Sequence, residues 1–150
     1  MKPVDQTILS TTPEGNDDNG NPGNCYPACL ASILETSIDQ IPHFATFTGD
    51  WWINVQAWAS TQNIIVTYLS PDDTLRLDTI QEVGTILGII GVGPSPRGPY
   101  QHAVVVDIVT EDDEEGYGMI HDPHPSRGGI TDLDGVEVVW TPKIDFPLPL

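Results

Sequence analysis

The run His102-Ala-Val-Val-Val-Asp-Ile-Val109 is the strongest strand signal in the chain, and Gly118-Met-Ile-His-Asp122 answers it across the acidic turn Glu111 to Glu115. Two such segments joined so closely predict an antiparallel hairpin. Further strands are expected over Asn63–Leu69, where Pro71 and Asp72 then turn the chain, over the short run Gly88–Val92, and over Val136–Trp140. The stretch Gly-Pro-Ser-Pro-Arg-Gly-Pro after Val92 is too proline-rich to pair, and the tail Pro142–Leu150 reads as irregular. Ile80–Leu87 fits either a helix or a strand.

The first half has a different period. Thr11–Asn24 is dense in Gly, Asn, Asp and Pro and reads as a loop. Tyr26–Glu35 follows as a helix, with Pro27 in the first turn and Leu30, Ile33 and Leu34 as its apolar face. Ser37 to Gln40 has the form of a capping box opening a very short helix that Pro42 ends. Asp50 is placed to cap a third helix over Asp50–Ala59, with Trp51, Val55 and Trp58 at helical spacing. Helices first and an antiparallel sheet afterwards define an α+β domain, the N-terminal helices packed on the C-terminal sheet. At 150 residues and 39% hydrophobic content, the chain supports one core, so residues 1–150 are expected to form a single domain.

Charge narrows the partners. Five basic residues against 22 acidic ones give a formal charge of -17, which opposes binding to nucleic acid or an anionic membrane surface. The acidic surface is explained by solubility, or by docking of a basic protein partner. No run of about 18 apolar residues occurs and the N-terminus lacks a cleavable apolar segment, so a cytoplasmic protein is expected. Cys25 and Cys29 lie four apart along one helix, where side-chain directions disfavour a disulfide, and reduced thiols are expected.

Cys25 stands where a polar loop gives way to a helix. Unsatisfied N–H groups and the positive end of the helix dipole favour thiolate over thiol at such a position. Cys29, one turn further and flanked by Ala28 and Leu30, suits burial better; the competing reading makes both thiols small core residues. Downstream, His102 opens one strand and Asp122 closes the next, at ends an antiparallel hairpin brings side by side. The alternative for His102 is a surface position at a strand end. His121 should point to the face opposite Asp122, His124 belongs to a loop lining the site or exposed to solvent, and His43 is a turn residue. His121, Asp122 and His124 make a weak metal set without a distant fourth ligand, so neither metal nor other cofactor is expected.

Gly-Asn-Cys25-x-x-Ala-Cys-x-Ala-Ser, His102-Ala-Val-Val and His121-Asp122-Pro123-His124-Pro-Ser-Arg together resemble the papain-like thiol-peptidase superfamily. The resemblance is nearest to the bacteriocin leader-processing branch and small phage-type proteins of that kind, and it spans roughly Gln6 to Ile130. It implies a papain-like fold and a triad of Cys25 as nucleophile, His102 as base and Asp122 as the carboxylate that orients it. It also implies a glutamine side chain donating to the oxyanion; Gln6 is the candidate, although it lies farther upstream than in the family, and Asn24 is the alternative. The backbone N–H of Cys25 would be the second donor.

Two of the three arginines, Arg97 and Arg127, fall in similar Pro-Ser-containing segments near His102 and Asp122. In so acidic a chain they predict an anion-binding rim, with His124 beside it, for a carboxylate or phosphate of the substrate; the alternative is that they neutralise nearby Asp and Glu. The expected activity is hydrolysis of an amide, isopeptide or related acyl bond in a peptide or small substrate, through a thioester on Cys25. Transamidation or other acyl transfer would use the same triad. A non-catalytic phage-type interaction protein acting through its acidic surface is the reading from a different class.

Overall fold

A computed structural model of the chain describes residues 1–9, 23–44, 51–98 and 100–143. Its helices are α1 (Cys25–Leu34), α2 (Trp51–Thr61) and α3 (Thr74–Val83), with a 3-10 turn at Ile38–Gln40. The strands are β1 (Ile65–Leu69), β2 (Gly84–Pro94), β3 (Gln101–Glu111), β4 (Glu114–His121) and β5 (Gly135–Pro142). They form one antiparallel sheet in the order β1-β5-β2-β3-β4. The α+β class follows directly from these elements.

The β3–β4 hairpin forms as its sequence predicts, with Ile108 opposite Tyr117 and a register shift between Val105 and Val106. β3 reads as an unbroken apolar run because both of its faces are covered. Ala103 and Val105 join a core with Leu30 and Ile33 of α1 and Val55 and Ala59 of α2, while Val104 and Val106 pack with Leu77 and Ile80 of α3. Helices therefore lie on both faces of the sheet, and not only the N-terminal helices pack against it.

α3 and most of β2 depart from the expected boundaries. Asp73 caps α3 by accepting a hydrogen bond from the Arg76 N–H at 3.2 Å, and Leu77 and Ile80 supply its buried stripe. The ambiguous segment Ile80–Leu87 thus divides, its first part ending α3 and its second opening β2. Glycine dilutes the strand signal of β2, yet Gly88 has a packing reason: a Cβ there would lie 2.5 Å from the Ile33 side chain of α1. The missing side chain lets α1 settle onto the sheet at a bulge in the β2–β5 register. Ser37 forms no side-chain cap, so the expected capping box is not made; the Gln40 N–H bonds to the Ser37 carbonyl instead. Most of the predicted Thr11–Asn24 loop, the Asp50 cap and residues 144–150 of the tail lie outside the described residues. No helix among the described residues is long and apolar enough to cross a membrane.

The N-terminal segment straps the domain. The Lys2 N–H bonds to the Ser32 carbonyl and the Val4 N–H to Ser32 Oγ on α1, while the Gln6 N–H reaches the Pro123 carbonyl beyond β4. The segment so ties the start of the chain to both elements that frame the site.

Candidate active site

α1 begins at Cys25 itself, and its N-cap residue, Asn24, makes no side-chain cap. The Asn24 side chain instead brackets the N-terminal segment: Oδ1 accepts the Thr7 and Ile8 N–H groups at 2.9 and 2.8 Å, and Nδ2 donates to Thr7 Oγ1. The first N–H groups of the helix are thereby left for the thiol. Backbone N–H groups of Ala103, Tyr26 and Cys25 favour the Cys25 thiolate, but burial outweighs them and pushes the thiol above its ordinary range. The helix-terminus effect read from the sequence is present, yet dehydration dominates it. Cys25 is 9% exposed and Cys29 fully buried; both lie in the same buried cluster, so burial itself fits the competing reading of two small core thiols, and only the slight exposure of Cys25 sets it apart.

Cys25 and Ala103 belong to one buried cluster, and the Ala103 N–H acts on the thiol, which places Cys25 near His102 because Ala103 directly follows it on β3. His102 Nε2 and Asp122 Oδ1 are 2.6 Å apart, in a pair that is almost wholly buried. An ionised Asp122 can only accept, so Nε2 carries the ring proton and Nδ1 is left with the free lone pair. Pro123 biases Asp122 toward extended backbone, and the chain then curls so that the N–H groups of His124 and Gly129 reach Asp122 Oδ1 and Oδ2 at 2.9 and 2.7 Å. Burial alone would raise the Asp122 pKa; the bonds from His102, His124 and Gly129 reverse this and hold it below the usual carboxylate range. Burial lowers His102 below the ordinary histidine range despite Asp122, and the charge of Arg97 acts in the same direction. At neutral pH the resting site therefore holds a thiol, a neutral imidazole and a carboxylate.

Gln6 is brought to this site in spite of its distance in sequence. It is 7% exposed, bonded through its backbone to Pro123, and adjacent to the segment that Asn24 holds. Its Nε2 donates to the Ile8 carbonyl at 2.8 Å, leaving one amide hydrogen, while Oε1 is buried with no partner among the described residues. Asn24 acts through these contacts as the bracket that positions Gln6.

The two arginines separate. Arg127 grips Asp5 with Nη1 at 2.5 Å and Nη2 at 2.9 Å and also donates to the Asp122 carbonyl, so it clamps the N-terminal segment to the loop after β4. The expectation of a free cation is corrected there: its charge is already matched by a carboxylate. Arg97 has no such partner among the described residues; Nη1 donates to Ser126 Oγ at 3.2 Å, and Nε and Nη2 are buried without an acceptor among them. The His124 ring stands edge-on to the His102 ring with centroids 6.1 Å apart, and its Nδ1 accepts the Ser126 N–H. His121 turns to the Val4 carbonyl, 2.8 Å from Nε2, and His43 to the Gly23 carbonyl at 2.9 Å. No group of three or more His, Cys, Asp or Glu side chains among the described residues converges as a metal site would require.

Sequence reasoning missed two pairs. Tyr26 Oη donates to Glu137 Oε1 at 2.6 Å beneath α1, and burial raises Glu137 from 4.5 to about 7. A glutamate set among the valines of β5 was the available signal. Nothing local marks the Asp5–Arg127 pair, whose members are 122 residues apart. No family model, curated protein or solved structure matches this chain.

Proposed function

We propose that the protein is a thiol hydrolase of papain-like type that cleaves an amide, isopeptide or related acyl bond. The observation that carries this reading is the buried 2.6 Å His102–Asp122 pair, with Ala103, the residue after His102, packed in one cluster with Cys25 at the start of α1. His102 Nδ1 takes the thiol proton as Sγ attacks the acyl carbon, and the imidazolium returns that proton to the departing amine. Water then attacks the thioester with His102 again as base, releasing the acid and restoring the thiol. The Cys25 N–H and the remaining Gln6 amide hydrogen are the proposed donors to the oxyanion. The neutral resting pair fits proton transfer concerted with attack, since burial opposes a preformed thiolate.

A generic acyl donor tests the chemistry without knowledge of the substrate. With p-nitrophenyl acetate, the expected result is a burst of nitrophenolate of one per chain and an acetyl thioester on Cys25, lost in Cys25→Ala. An adduct on Cys29, or none on Cys25, would contradict the reading.

A further inference from the structure

Arg97 stands apart from the other arginines. Arg76 lies 3.9 Å from Asp73 and Arg127 is held by Asp5, whereas Arg97 has no carboxylate within ion-pair distance among the described residues. In a chain with 22 acidic residues, an unmatched guanidinium marks a position where a carboxylate from the protein has been left out. Its two unpartnered atoms, Nε and Nη2, form the edge that grips a carboxylate through two parallel hydrogen bonds. Leaving those donors buried and unsatisfied is costly, and an external acceptor removes the cost.

The surroundings fix the backbone that carries the group. The Arg97 N–H bonds to Ser95 Oγ at 3.1 Å and the Ser95 N–H to the Tyr100 carbonyl at 2.9 Å, which stiffens the loop leading into His102. Ser126 Oγ anchors Nη1, and a Cβ at Gly128 would lie 3.1 Å from that nitrogen, so the glycine leaves room for the guanidinium. Arg97 also acts electrostatically on the His102 and His124 rings, which places its charge within range of the base.

We infer that Arg97, with Ser126 and His124, forms a carboxylate subsite beside His102, and that the natural substrate carries a carboxylate close to the bond presented to Cys25. This rests on the thiol-hydrolase reading above and names its substrate class. Because the Nε–Nη2 edge is covered in the free protein, engagement requires the guanidinium to turn outward, giving up its bond to Ser126. Pairing with the carboxylate neutralises Arg97 and removes its opposition to a protonated His102. An acidic substrate thereby favours the imidazolium that forms during attack.

Two alkylating reagents of nearly the same size, anionic iodoacetate and neutral iodoacetamide, test this. Each joins the Cys25 sulfur to a methylene carbon, with iodide leaving and the thiol proton released. The readout is the ratio of their rate constants at Cys25, in which any change in the reactivity of the thiol or of its base cancels. The ratio should fall about tenfold in Arg97→Gln and recover in part in Arg97→Lys. An unchanged ratio overturns the subsite and leaves the thiol reading intact. Should Cys25 be inert to both reagents, the thiol reading fails, and the subsite is decided by titrating acetate and inorganic phosphate against the His102 and His124 imidazole NMR signals. Saturable shifts with acetate, absent in Arg97→Gln, uphold it; shifts equal in the two proteins, or only with phosphate, overturn it.

Discussion

His102 is the base of the proposed reaction, and its environment makes the pH dependence specific. Burial lowers its pKa below the ordinary 6.5, so the basic form persists to lower pH than in an exposed histidine. The rate of Cys25 acylation should therefore lose its acid limb below pH 6.5, and a limb above that value would contradict the assignment of His102 as base. Asp122→Asn removes the acceptor that fixes the Nε2–H tautomer and should slow acylation by at least about a hundredfold, read as the rate of the nitrophenolate burst. The three residues of the proposed triad could be singled out in the sequence because each sits at an element boundary that sequence patterns mark: a loop-to-helix junction, a strand start and a strand end. For Arg127 the alternative of a guanidinium neutralised by a carboxylate holds, but its partner could not be named from sequence, because Asp5 lies at the other end of the chain and only tertiary structure brings them together.

At the scale of elements, the site depends on how closely α1 rests on the sheet. Gly88→Ala forces a methyl group against Ile33 and should destabilise the protein by about 1–3 kcal/mol, measured by urea unfolding. Ile33→Ala makes room for that methyl, so the two substitutions should couple by at least about 1 kcal/mol in a double-mutant cycle; additive effects would show that α1 does not bear on β2 at this point. The same region shows what local sequence conveys. The β3–β4 hairpin was readable because its β-branched residues and acidic turn act locally. β2 was not, because its glycines serve neighbours far away in sequence, such as Ile33, and weaken every local strand signal. α3 had a readable signal in the Asp73 cap and the Leu77–Ile80 spacing, masked by the polar residues between them.

Across the whole molecule, the buried Glu137 makes stability depend on pH. Its pKa rises from 4.5 to about 7 on folding, so the folded protein keeps a proton that the unfolded chain releases. The contribution of Glu137 to stability is greatest below 4.5, falls as pH climbs toward 7, and levels off above it. Glu137→Gln is neutral throughout, so its stability relative to the wild type should improve by about 2 kcal/mol between pH 5 and pH 8. A difference independent of pH, measured by denaturant unfolding, would show that Glu137 is ionised in the fold.

The central claim is that Cys25, His102 and Asp122 act as one unit, and a cycle of Cys25 acylation rates across wild type, His102→Gln, Asp122→Asn and the double variant tests it most directly. Since Asp122 acts through the imidazole, the double variant should be no slower than His102→Gln alone. Rates that fall independently in the two single variants and multiply in the double, or that do not fall at all, would contradict the account.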